Sequence, residues 1–171
     1  MAEQSSTLTL LFTDLVGSTA LAERLGDDAA QALRRAHDRL LREQFERFEG
    51  RVVKGTGDGF FVTFTSARQG VECAIAIQRA IGAQQAEGRY GELQVRVGIH
   101  TGEPLVEGDD LFGTDVNLAA RIVAEAEGGQ IFASQVTQAL VRMLRIATEV
   151  PTATNAIATA TGCSTGKIAP I

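Results

Sequence analysis

The chain has 171 residues, of which 44% are hydrophobic and 22% charged, and its net charge is −5. That size and balance describe one ordinary globular domain with a sizeable core, and they exclude collagen, bulk disorder and disulfide-scaffold classes. The acidic balance argues against a nucleic-acid binder, which is normally basic.

Residues 7–13 are mostly apolar and β-prone and predict a buried strand. They lead into Asp14-Leu15-Val16-Gly17-Ser18-Thr19, a loop with helix-start residues, and then a short helix to Gly26. Asp27 and Asp28 can cap a long helix to about Glu49, whose apolar positions Leu33, Ala36, Leu40, Leu41, Phe45 and Phe48 keep helical spacing. Arg51-Val52-Val53 and residues 60–64 read as the arms of a hairpin around the glycine-rich Lys54-Gly55-Thr56-Gly57-Asp58-Gly59. A third helix follows Ser66, and residues 93–101 alternate as a strand. A second hairpin is expected around Gly108-Asp109, a helix from Gly113 to about Glu127, a short strand over 130–133, and a last helix from Ser134 to about Arg145.

Residues 146–171 differ in kind. Alanine and threonine supply 12 of these 26 residues, only Glu149 and Lys167 are charged, and periodicity is lost. The expected organisation is one domain over 1–145 and an atypical, loosely ordered tail over 146–171. The order β-α-α-β-β-α-β predicts an α+β sandwich of the ferredoxin-like kind, not a doubly wound sheet. Cys73 and Cys163 follow no metal or redox spacing. Neither a signal peptide nor a membrane-length apolar run is seen, so a cytoplasmic location is expected.

Several residues can carry chemistry. Asp14 ends a buried strand and Asp58 sits in a tight glycine-rich turn, an arrangement suited to divalent metal and phosphate. Each alone is equally an ordinary turn former. Backbone N–H groups of Val16, Gly17, Ser18 and Thr19 enter a helix and can cradle phosphates, or simply cap it. Asn117 and Arg121 share a helix face and can orient a ribose and neutralise phosphoryl charge, or merely be solvated.

Together, four segments resemble the class III nucleotidyl cyclase catalytic domain of the bacterial adenylate cyclase type. They are Phe12-Thr13-Asp14-Leu15-Val16-Gly17-Ser18-Thr19, Lys54 to Gly59, Arg96-Val97-Gly98-Ile99-His100-Thr101-Gly102, and Asp110 to Arg121. The likeness covers roughly residues 7–143. It implies that Asp14 and Asp58 bind two divalent metal ions (Mg or Mn), and that Lys54 and Asp110 read the purine. It also implies that Asn117 and Arg121 serve the transition state and that Arg96 contacts the polyphosphate. The implied reaction is ATP to 3′,5′-cyclic AMP and pyrophosphate, at sites shared across a head-to-tail homodimer. The family's C-terminal strand pair, with its phosphate-binding lysine, has no matching pattern in the tail. The alternatives are a catalytically weak or silent nucleotide-binding cyclase-like regulatory domain, a diguanylate cyclase, and a ferredoxin-like binding module.

Overall fold

The computed structural model describes residues 6–89, 93–143 and 157–160. Arg145, Cys163, Lys167 and the rest of the tail outside 157–160 lie beyond the described residues.

The elements run β1 (Leu8–Val16), α1 (Ser18–Leu25), α2 (Asp27–Arg47), β2 (Arg51–Gly55), β3 (Gly59–Phe64) and α3 (Ala67–Ala86). They continue with β4 (Gln94–Gly102), β5 (Leu105–Glu107), β6 (Asp110–Phe112), α4 (Thr114–Glu125), β7 (Ile131–Ser134), α5 (Gln135–Met143) and β8 (Ile157–Ala160). The sheet order is β2-β3-β1-β4-β7-β8, and β5 and β6 form a separate hairpin. Strand β1 pairs antiparallel with both β3 and β4, while β4–β7 and β7–β8 are parallel. This is the α+β sandwich expected from the order of elements. Strand β8 falls inside the segment read as a tail. Its Ala/Thr sequence carries no apolar alternation, so no local signal marks it.

Period-two alternation splits the strands between two cores. Leu11 and Leu15 of β1 join Val95, Val97 and Ile99 of β4 in the larger cluster. Leu41 and Phe45 of α2 and Val71, Ala74 and Ile77 of α3 close it on one face of the sheet. Leu10 and Phe12 point the other way, against Phe61, Leu111 of the hairpin, and Ala119 and Val123 of α4. Phe12 and Phe61 stack with centroids 4.3 Å apart, a geometry that adds about 0.5–1.5 kcal/mol beyond the area buried. One face is thus roofed by α2 and α3. The other carries α4 and the β5–β6 hairpin.

Strand β3 lies tightly on β1 at Gly59, where an added Cβ would run into the Thr13 carbonyl. Phe60 N–H donates to Thr13 Oγ1 at 3.0 Å and Leu15 N–H to the Asp58 carbonyl at 3.2 Å. Only glycine lets the two strands, and so Asp14 and Asp58, come this close.

Candidate active site

Asp14 continues the even-numbered face of β1, the face that carries α4. Its cross-strand neighbour on β4 is Arg96. Arg96 Nε and Nη2 donate to Asp14 Oδ2 at 2.8 and 2.6 Å, and Nη1 donates to the Ala124 and Ala126 carbonyls at 3.0 and 3.4 Å. One guanidinium therefore ties the strand carboxylate to the C-terminal end of α4, where the free carbonyls and the helix dipole favour a cation.

Asp58 occupies the β2–β3 turn. Ser18 Oγ donates to its Oδ2 at 2.5 Å, and Arg34 of α2 pairs with its Oδ1 and donates to the Gly57 carbonyl. Gly17, in a left-handed conformation, is the N-cap of α1, and no side chain caps that end. The Ser18 hydroxyl, a natural helix-start donor, is directed to Asp58 instead, which leaves the first N–H groups of α1 uncapped by any side chain.

Lys54 reaches the same face by an irregularity. The β2–β3 register runs Val52↔Val62 and then Lys54↔Phe61, so Val53 is the extra residue of a bulge. A regular ladder would set Lys54 opposite Phe60, whose ring lies in the larger core under the helices. The bulge sets it opposite Phe61, on the α4 side. There its Nζ donates to Asp110 Oδ1 and Oδ2 at 2.8 and 2.6 Å and lies 5.6 Å from the Phe112 ring centroid. Asp110 also accepts the Leu111 N–H at 2.9 Å. Hydrogen bonding to Lys54, then to Leu111, holds the Asp110 carboxyl below its ordinary pKa.

Asn117 and Arg121 sit one turn apart on the exposed side of α4. Neither side chain has a hydrogen-bond or ion-pair partner among the described residues. The structure thus brings Asp14 to Arg96, Asp58 to Ser18, and Lys54 to Asp110. Among the described residues no hydrogen bond or ion pair links Lys54, Asp110, Asn117 or Arg121 to Asp14, Asp58 or Arg96.

Two features escaped the sequence reading. Arg34 lies 24 positions before Asp58 on a helix rich in arginine, and nothing local singles it out. The bulge at Val53 has no glycine or proline to announce it.

The donor set suits a hard divalent cation. Asp14 and Asp58 are carboxylates on neighbouring segments, the oxygen donors such a cation takes, and each is held by a guanidinium, Arg96 and Arg34. Among the described residues no cluster of three or more His, Cys, Asp or Glu side chains forms a metal cage. Two carboxylates completed by substrate phosphates are the usual magnesium arrangement.

A family model described as the adenylate and guanylate cyclase catalytic domain matches residues 1–160. A Rhizobium meliloti (strain 1021) protein provisionally named adenylate cyclase 3 is 39% identical over 123 residues, 71% of this chain and 21% of its own length. The adenylate cyclase of Mycosarcoma maydis is 35% identical over 150 residues, 74% of this chain and 6% of its own. The chain therefore spans about a fifth of the first relative and far less of the second. Among solved structures, the adenylyl cyclase CyaB from P. aeruginosa superposes with a TM-score of 0.76 at 25% identity, covering 84% of each chain. No helix among the described residues is long and apolar enough to cross a membrane. By its sequence match and its architecture, the chain belongs to the adenylate and guanylate cyclase catalytic domain family, the class III cyclases, and it is similar to adenylate cyclases of bacteria.

Proposed function

We propose that the domain is an adenylate cyclase. It converts ATP to 3′,5′-cyclic AMP and pyrophosphate at sites shared by two copies of the chain. The observation that carries the choice of ATP is the Lys54–Asp110 pair. An ammonium only donates and a carboxylate only accepts. Adenine presents an acceptor at N1 and a donor amino group at C6, which match them. Guanine presents the reverse, a donor at N1 and an acceptor at O6, and would set each group against a like partner. Lys54 has three N–H donors and gives two to Asp110. The third serves N1 while the ion pair stays intact.

Asp14 and Asp58 are the residues that hold two divalent ions, magnesium or manganese. Bound there, such ions lower the pKa of the ribose 3′-hydroxyl and neutralise phosphate charge. The N–H groups of Val16, Gly17, Ser18 and Thr19 receive phosphate oxygens at the positive end of α1. Arg96 adds a guanidinium to the polyphosphate from its place beside Asp14. The 3′-oxygen attacks the α-phosphorus in line, the bond to pyrophosphate breaks, and the hydroxyl proton passes to solvent. Asn117 orients the ribose, and Arg121 meets the charge that develops on the α-phosphate.

That no hydrogen bond or ion pair joins the two groups among the described residues supports a shared site. Asn117 and Arg121 are exposed, with no hydrogen-bond or ion-pair partner among the described residues, and Val16, Leu105, Val106, Phe112 and Leu118 are exposed apolar residues. A second copy, head to tail, supplies Lys54, Asp110, Asn117 and Arg121 to the first copy's Asp14, Asp58 and Arg96.

Complementation tests this. Asp14→Ala and Arg121→Ala homodimers should each be inactive. Mixed in equal amounts they should regain about a quarter of wild-type cyclic AMP production, since half the dimers then hold one intact site. No recovery, with heterodimers demonstrated by co-purification on two different affinity tags, overturns the shared site. Wild-type protein that binds ATP and Mn²⁺ without cyclic product overturns the enzyme and favours a silent regulatory domain.

A further inference from the structure

A chain of polar side chains runs through the interior behind α4. His100 of β4 is 4% exposed. Its Nε2 lies 3.0 Å from Asp115 Oδ1 and its Nδ1 2.9 Å from Ser134 Oγ. From Ser134 Oγ the contacts continue to Thr137 Oγ1 at 3.1 Å, to Thr101 Oγ1 at 3.0 Å and to Thr9 Oγ1 at 3.0 Å.

Chemistry at one end sets the direction of donation. An ionised Asp115 only accepts, so Nε2 donates to it. With the ring neutral, Nδ1 accepts from the Ser134 hydroxyl, and Ser134, Thr137 and Thr101 each accept from the next hydroxyl along. One tautomer satisfies the whole chain, a condition under which a buried network fixes a single arrangement.

Asp115 is where this network meets the proposed site. It lies in the first turn of α4, two residues before Asn117. Its Oδ2 accepts the Glu103 N–H at 2.9 Å, and Glu103 leads into the hairpin that carries Asp110. Gly102 leaves room for this, since a Cβ there would lie 2.4 Å from the Asp115 carboxyl carbon. The N-cap of α4, Gly113, makes no side-chain cap bond. Asn117 and Arg121 have no partners of their own among the described residues, so the placement of the helix alone decides where they point.

We propose that His100 is a positioning residue for the cyclase reaction. Through Asp115 it sets the first turn of α4 and the root of the β5–β6 hairpin, and so aims Asn117, Arg121 and Asp110. This rests on the adenylate cyclase reading. The competing role is a core histidine that only stabilises the fold.

Two amides separate the roles. In His100→Gln the side-chain amide reaches the Nε2 position and donates to Asp115. In His100→Asn it reaches only the Nδ1 position, keeps Ser134 and loses Asp115. The Asn variant should lose about 10- to 100-fold in kcat, as for a misplacement of about 1 Å, with a smaller rise in KM for ATP where Asp110 shifts. The Gln variant should recover most of that loss at a similar melting temperature. Asp115→Ala, which changes a partly exposed side chain, should reproduce the Asn variant, and the double variant should cost no more than either alone. Equal kcat in the Gln and Asn variants, additive losses, or a rise in KM alone overturns the proposal.

Two readouts do not depend on turnover. Nitrogen NMR of wild-type protein should show His100 carrying its proton on Nε2, and the Nδ1–H tautomer overturns the proposal. Amide exchange over residues 117–119, whose N–H groups are the first bonded within α4, should rise in His100→Asn and not in His100→Gln, and an equal rise in both overturns it. If wild-type protein makes no cyclic AMP, the cyclase reading fails by itself, and these two measurements still decide whether His100 holds α4.

Discussion

Strand β4 and α4 touch at Gly98, and replacing that glycine by alanine tests whether the seating of α4 governs catalysis. The added Cβ would lie 2.4 Å from Val123 N and 2.7 Å from Val123 Cα. Non-bonded contact needs about 3.5 Å, so the helix must withdraw by about 1 Å. The obstacle is helix backbone, and no side-chain rotation relieves it. Overpacking of this kind costs about 1–3 kcal/mol, which lowers the melting temperature of a chain this size by about 3–10 °C. Asn117 and Arg121 ride on the displaced helix, so kcat should fall by about 100-fold. Gly82→Ala is the control. Nothing lies within 4 Å of a Cβ at that position of α3, and alanine there should stabilise by about 1 kcal/mol through helix propensity alone. Calorimetric melting and steady-state cyclic AMP production on the same samples give both numbers. Gly98→Ala with wild-type melting and kcat refutes the close-packing argument. A lowered melting temperature with unchanged kcat refutes the link from the seating of α4 to catalysis.

Arg34→Ala removes a guanidinium that competes for Asp58. Calorimetric titration with Mn²⁺ should show binding tightened about fivefold, the scale of one partly exposed ion pair, and weakened binding refutes the competition. Lys54→Arg puts a rigid planar fork where the proposed reading has a compact donor at N1, and ATP turnover should fall about tenfold or more. Near-wild-type turnover removes Lys54 from base reading. His37 of α2 is buried, both its ring nitrogens lack a partner among the described residues, and desolvation lowers its pKa from 6.5. The unfolded chain therefore binds a proton that the native chain refuses, so this contribution to stability is full above 6.5 and is lost as pH falls below it. Urea midpoints measured downward from neutral pH should drop more steeply for wild type than for His37→Leu, and parallel profiles refute the assignment.

Local pattern was enough to predict most of the architecture. Helical spacing over α2, alternation over β4, and glycine-rich turns at the two hairpins are properties of neighbouring residues, and they predict the α+β order that the structure has. The family, too, is legible from four short segments, because their residue types, order and spacing together are specific where each alone is not. Tertiary structure decided what depends on register and on partners far apart in the chain. A bulge at Val53 turns Lys54 from the helix-covered core to the face of Asp110. Arg34 meets Asp58 only because α2 folds back over the β2–β3 turn. The His100–Asp115 bond depends on α4 lying across β4 at Gly98 and Gly102. Strand β8 forms by pairing with β7, since a strand takes its partner's hydrogen bonds whether or not its own sequence alternates. Periodicity records which face a residue buries. It does not record an extra residue in a ladder, or which distant charge will arrive beside it.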